Sequence, residues 1–245
     1  KRLGKRVALL YSLANISLFS TITIGAALFW GAYAADVVFG EYLSALHQDR
    51  LTRITLLIVI LGLFSATYTY YGGLGAVVRT DIIQFVVLIS GGLVIMFIAI
   101  HHLGGWSELY NKTPHLMHLH LPSDHEKLPW IHIFGLFLLN INYWCANQSI
   151  VQRSLAAKSI RHAQIGLMVG GLMKYLMAVI IVIPGIALVG ILGDNGLSDP
   201  DMSFPYLVNT YLPLGAKGLV LCALFASLMS TVDSTFNSLA TLWSI

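Results

Sequence analysis

Lys174 stands in the run Gly170-Gly171-Leu172-Met173-Lys174-Tyr175, inside a long apolar stretch. It lies about eleven residues in, or about 16 Å deep at the rise of an α-helix. That is too far for an ammonium to reach water easily, and an ionisable group held there is expensive and points to function. It needs oxygen partners, either hydroxyls of a bound solute or carbonyls of a neighbouring helix. A second anomaly is the polar run Asn140-Ile141-Asn142-Tyr143-Trp144-Cys145-Ala146-Asn147-Gln148. It reads as a break in a helix, with Asn140 again deep in the apolar stretch, and freed backbone is tolerated there only where it lines a cavity. Amides such as Asn140 and Gln148 beside the flat faces of Tyr143 and Trp144 suit a polyhydroxylated ligand, although amides also join helices to one another. A third pattern is Ser227, Ser230, Thr231, Ser234 and Ser238, spaced so that one helix face carries hydroxyls. Neutral oxygens of this kind suit a hard cation such as sodium, and they also let helices pack closely. Asp233 on the same segment and Asp81 after Arg79-Thr80 could each hold a cation or a proton. Asp81 also reads as a helix N-terminal charge.

These side chains need elements that hold them at such depth. The chain has 245 residues, 57% hydrophobic and 10% charged, with a mean hydropathy of +0.77. Soluble domains carry about 25% charged residues. The charges fall between apolar runs of about 20 residues or more, enough to cross a bilayer. The expectation is therefore an all-α, polytopic membrane protein with six transmembrane helices, over residues 7–39, 51–78, 82–103, 129–150, 163–192 and 215–243. Gly72-Gly73 reads as a helix end and Pro184-Gly185 as a kink.

Orientation follows from the connections. Lys1, Arg2, Lys5, Arg6, Arg79, Arg153, Lys158 and Arg161 form a basic set. Glu41, Asp49, Glu108, Asp124, Glu126, Asp194, Asp199 and Asp201 lie on the other side. The positive-inside rule assigns the basic set to the cytoplasm, and with it residues 1 and 245. Trp106, Trp130 and Tyr211 fall at expected borders, where amphipathic rings anchor. Both ends read as cuts through a longer chain. Cys145 and Cys222 lie in apolar runs and suggest neither a disulfide framework nor a metal site. His115, His118 and His120 could ligate zinc, yet they sit in an outer loop with no general base placed beside them, so an enzyme is not expected.

Several of these segments resemble the sodium:solute symporter family, and within it the sodium/glucose (galactose) branch. They are Tyr68-Thr69-Tyr70-Tyr71-Gly72-Gly73-Leu74-Gly75-Ala76 with Thr80-Asp81 and Gln84, then the run from Asn140 to Arg153, then Lys174 with Pro184-Gly185. Ala226-Ser227-Leu228-Met229-Ser230-Thr231 and Phe236-Asn237-Ser238 complete the set. The resemblance covers essentially the whole chain in order. It implies a fragment of an inverted-repeat core of five plus five helices. Residues 1–245 would supply core helices three to eight, with 1–103 closing the first repeat and 129–245 opening the second. It also implies that Asn140 and Lys174 bond the sugar, that Tyr143 stacks on the ring beside Trp144, and that Gln148 belongs to the same polar run. Ser230 and Thr231 would hold sodium through hydroxyls and Ser227 through its carbonyl, while Asp81 would assist coupling or a second ion. Asp233 departs from the family's usual small or neutral residue. The implied activity is sodium-driven uptake of a sugar such as glucose or galactose by alternating access. It would operate in a multi-pass protein of the plasma membrane, with sodium, sugar and lipid as partners and no nucleic acid. Two alternatives stay open: another solute (an inositol, sialic acid, an amino acid or a vitamin), or a transporter-like sensor domain.

Overall fold

The structure is a computed structural model that describes residues 4–45, 47–118, 122–126, 129–193 and 196–244, with only the backbone at Glu41. Lys1, Arg2, His120 and Asp194, which entered the reading of charge and of zinc, lie outside the described residues.

Uniformly apolar runs fold as helices because hydrocarbon offers their backbone no other partner. The chain begins with α1 (Lys5–Leu18), passes through a π-helical turn (Phe19–Ile24), and continues without interruption as α2 (Gly25–Ser44). In that stretch Ser20 and Thr21 donate to the Ile16 and Ser17 carbonyls, both at 2.7 Å. A long helix, α3, covers Arg50–Leu103. Asp49 starts it by accepting from the Thr52 hydroxyl at 2.6 Å and the Thr52 amide at 2.8 Å. These bonds, the hydroxyl first, hold the Asp49 carboxyl below its ordinary value.

At 54 residues α3 is about twice the length a bilayer needs. Gly73, with φ 56° and ψ −165°, divides it. This is backbone that side-chain-bearing residues avoid. The helix end expected at Gly72-Gly73 is therefore present, but the spans expected at 51–78 and 82–103 are corrected to 50–72 and 74–103. Arg79, Thr80 and Asp81 lie inside the second helix. Asp81, two turns past the break, is not a helix N-terminal charge.

Beyond α3 come α4 (Trp106–Lys112), α5 (Trp130–Cys145), α6 (Gln148–Leu155), α7 (Ile160–Leu192), α8 (Ser203–Tyr211) and α9 (Leu214–Trp243). Among the described residues, four helical stretches are long and apolar enough to cross a membrane: Lys5–Gly40, α3, α7 and α9; α5 is a shorter apolar helix. Dividing α3 at Gly73 and counting α5 gives the six expected segments. Large side chains such as Leu63, Phe64 and Ile83 stay exposed along them, as suits a lipid solvent. The helix α7 runs on through Pro184 to Leu192.

The chain forms two compact units. One comprises Lys1–Ile98 and Leu197–Ile245, the other Ala99–Gly196. In the first, α9 packs against the π-helical turn, α1 and α2. Helices approach closely at small residues: a Cβ at Gly91 of α3 would sit 2.5 Å from the Ala223 Cβ and 3.3 Å from the Leu219 carbonyl oxygen of α9. In the same unit Asp36 of α2, 3% exposed, accepts from Arg53 at 2.7 Å and Arg50 at 3.1 Å. Arg53 also donates to the His47 and Gln48 carbonyls, at 3.0 and 2.9 Å, so one guanidinium ties the turn to both helices. In the second unit α4 packs on α7, where Gly190 makes room for Leu103 and Thr113.

Candidate functional site

In the second unit, α5 places Asn140, Tyr143 and Trp144 at i, i+3 and i+4, the spacing that puts side chains on one helix face. The Asn140 amide nitrogen donates to the Leu136 carbonyl at 2.9 Å, leaving its oxygen as an acceptor. The Tyr143 and Trp144 rings meet edge to face, with centroids 5.6 Å apart and planes at 87°. Lys174 comes from near the middle of the 33-residue α7. Its Nζ lies 3.9 Å from the Tyr143 ring centroid and 5.0 Å from that of Trp144. Ring faces attract a cation, worth about 0.5–2 kcal/mol according to exposure. Among the described residues no carboxylate pairs with this lysine, so its N–H donors remain for a ligand.

The helix break differs from the expected one. The helix α5 runs straight through Asn140 to Cys145, and the interruption falls at Ala146 and Asn147. Both of their amides turn back to the Asn142 carbonyl, at 2.9 and 3.0 Å. Asn147 then caps α6, accepting from the Ser149 amide at 3.0 Å and hydroxyl at 2.6 Å. That role was readable: an asparagine just before a polar helical stretch is an ordinary N-cap signal. Gln148 is the first residue of α6, half-buried. Among the described residues it hydrogen-bonds to none of Asn140, Tyr143 or Lys174. A cavity of about 510 Å³ opens between α6 and α7, with Trp144, Leu155 and Ile160 in its wall and Ser154 and Gln164 as polar points.

The hydroxyl stripe lies in the first unit, on α9. Most of it bonds its own helix: Thr231 donates to the Ser227 carbonyl at 3.1 Å, Ser234 to the Ser230 carbonyl at 2.5 Å, and Ser238 to the Ser234 carbonyl at 2.8 Å. Ser230 differs, because its hydroxyl donates across to the Asp81 carboxylate of α3 at 2.5 Å. With its proton turned to Asp81, the Ser230 oxygen keeps lone pairs for a cation. Ser230 and Ser227 are half-buried, while Thr231 lies on an exposed face. The carboxylate, the hydroxyls and the carbonyl are all hard oxygen donors, the class a small hard cation prefers. Asp233 is fully buried and accepts from Thr69 of α3 at 3.2 Å. Among the described residues no three His, Cys, Asp or Glu side chains converge on one point.

Structure thus joins Lys174 to Tyr143 and Trp144, and Ser230 to Asp81. Asp36 escaped the sequence reading: it lies three residues from the expected span end at residue 39, too near the border for the depth argument used for Lys174. Thr69 entered only as part of a motif, with no sign of its bond to Asp233.

The chain matches the sodium:solute symporter family over residues 1–244. It is 32% identical to a sodium/glucose cotransporter of Vibrio parahaemolyticus, over 100% of this chain and 48% of that protein. It is 33% identical to sodium/glucose cotransporter 4 of Mus musculus, over 99% of the chain and 39% of that protein. A solved Na+-coupled sialic acid symporter, in a substrate-bound outward-open state, superposes with a TM-score of 0.73 at 23% identity. That superposition covers 96% of this chain and 52% of the symporter, and the likeness is one of fold. The chain spans less than half of the length of the two sodium/glucose cotransporters.

Proposed function

The chain belongs to the sodium:solute symporter family, and from that premise we propose that it carries part of the solute-binding and sodium-binding machinery of a sodium-coupled sugar symporter. It is a multi-pass membrane protein, here assigned to the plasma membrane with residues 1 and 245 on the cytoplasmic side. Residues 1–103 and 129–245 are assigned to the end of one five-helix repeat and the start of the next.

One observation carries the proposal: an unpaired ammonium deep in a membrane helix, resting on two aromatic rings. A sugar offers hydroxyl acceptors to Lys174 and Asn140 and an apolar ring face to Tyr143, with Trp144 and Gln148 bordering it. Such a ligand is neutral, so the site needs donors and flat surfaces rather than a counter-charge. Ser230 and Thr231 with the Ser227 carbonyl are assigned to sodium, and Asp81 to coupling. Sodium moving down its gradient stabilises the state that accepts solute, and conversion between inward and outward states carries both across.

Sodium-gradient-driven uptake of labelled glucose and galactose, in proteoliposomes holding the intact protein, tests this directly. Uptake that ignores the sodium gradient would remove the symport assignment. The relatives named above include sugar and sialic acid carriers, so competition by a panel of sugars, inositols and sialic acid identifies the cargo. Solute binding without any transmembrane movement would favour a sensor.

A further inference from the structure

The corner where α6 leads into α7 belongs to neither proposed ligand position, and its chemistry is lopsided. No Asp or Glu lies between Glu126 and Asp194, while Arg153, Lys158 and Arg161 crowd into residues 153–161. Lys158 and Arg161 are exposed, and among the described residues neither pairs with a carboxylate. Beside them Leu155 is 80% exposed and Ile160 79%. Both belong to the wall of the cavity of about 510 Å³, which Val151, Ala163 and Leu167 make largely apolar. Lys158 sits between the wall residues Ala157 and Ser159, and Arg161 follows Ile160, so each cation stands one residue from that wall.

Depth decides what meets such a surface. Ile160, where α7 begins, is fourteen residues from Lys174, or about 21 Å along the helix. With Lys174 at the midplane and α7 near the bilayer normal, Ile160 reaches the headgroup layer, whose outer edge lies about 20–22 Å from the centre. Acyl chains cover apolar side chains at that level, and phosphates meet cations. The cytoplasmic leaflet, to which the basic connections are assigned, carries the anionic lipids that draw lysine and arginine. An apolar cleft with only basic side chains charged beside it complements both parts of such a lipid. We infer that the α6–α7 corner binds an anionic phospholipid, with an acyl chain in the cleft and the phosphate at Lys158 and Arg161.

Trp144 also lines this cavity, and its ring lies 5.0 Å from the Lys174 Nζ. A chain in the cleft therefore rests against one of the rings that hold the lysine. The choice of leaflet rests on the orientation assigned above; lipid binding does not, and is read in detergent.

The intact protein is mixed with phosphatidylglycerol or phosphatidylcholine of identical acyl chains, and native mass spectrometry counts the lipids retained over a range of concentrations. The wild type should hold one phosphatidylglycerol more tightly than phosphatidylcholine, by about fivefold for each of the two basic residues. Lys158→Gln with Arg161→Gln should remove that preference and leave phosphatidylcholine binding unchanged, which also shows that the variant is folded. Lys158→Arg with Arg161→Lys keeps both charges and should keep the preference. Leu155→Ser with Ile160→Ser should weaken both lipids here by at least about tenfold, because the acyl chain loses its apolar seat. Equal affinities for the two lipids in the wild type would overturn the site, as would a preference that survives neutralisation of Lys158 and Arg161. So would phosphatidylglycerol binding that Leu155→Ser with Ile160→Ser leaves untouched, since another segment would then cover the cleft. Displacement of the lipid by an equal concentration of glycerophosphoglycerol, the headgroup without chains, would overturn the acyl seat. Solute uptake that needs no sodium would remove symport and leave these lipid counts as they stand.

Discussion

At the scale of single residues, membrane depth makes chemical type unusually informative. The Lys174 Nζ rests against two ring faces, which attract a cation but supply no oxygen acceptor. A hydrogen bond from such a charged donor to a ligand is worth about 1.5–3 kcal/mol, or about 10- to 100-fold in affinity. Lys174→Ala should therefore reduce sodium-driven uptake at low solute concentration by at least about tenfold, with the sodium requirement little changed. Initial rates in proteoliposomes read this, and unchanged uptake would take Lys174 out of the solute site. Ser230→Ala is the complementary case. It removes an oxygen that bridges α9 and Asp81, so the sodium concentration for half-maximal uptake should rise several-fold. Constant sodium dependence in that variant would cancel the ion assignment. Both residues were legible in the sequence, Lys174 by its depth and Ser230 by its place in a hydroxyl stripe. The pairing of Thr69 with Asp233 was not, since short hydroxyls in helices normally bond their own backbone and carry no cost that reveals them. That link crosses 164 residues of chain, a distance that no local spacing rule can bridge.

The elements show which part of a membrane fold is written locally. Span number and approximate position follow from apolar length alone, and all six segments are present. Where a helix breaks is decided by finer chemistry. The sequence placed one boundary at Arg79-Thr80-Asp81 because charges usually mark loops, yet a glycine that can adopt φ 56° broke α3 earlier and left the charges helical. Likewise Asn140 is polar but helical, because its amide satisfies itself on Leu136, and the break waits for Asn147, whose side chain can cap a new helix. Helix contacts obey sterics of the same directness. Gly91 has no room for a Cβ against Ala223 and the α9 backbone, so Gly91→Ala should lower the thermal stability of the purified protein by about 1–3 kcal/mol. Pairing it with Ala223→Gly removes the nearer obstacle and should restore part of that loss. The double variant being no more stable than Gly91→Ala alone would show that the close approach is not what the glycine serves.

For the whole molecule, the two proposed ligand positions belong to different compact units: Lys174 with Tyr143 and Trp144 in one, Ser230 with Asp81 in the other. Neither unit can couple a gradient to a solute alone, because coupling is a free energy shared between two binding events. The sequence singled out both sets of residues but not this division, which emerges from long-range packing. Linkage places a strict demand on any such machine. If saturating sodium tightens solute binding by some factor, saturating solute must tighten sodium binding by the same factor. Coupling energies of about 1–3 kcal/mol correspond to factors of about 5 to 150, and we expect a value in that range for the intact protein in detergent. Solute affinity is measured at low and at saturating sodium, and sodium affinity with and without saturating solute, all at equilibrium. Factors of one in both directions would mean that sodium and solute bind independently, and a protein with independent sites could not use the sodium gradient to concentrate its solute.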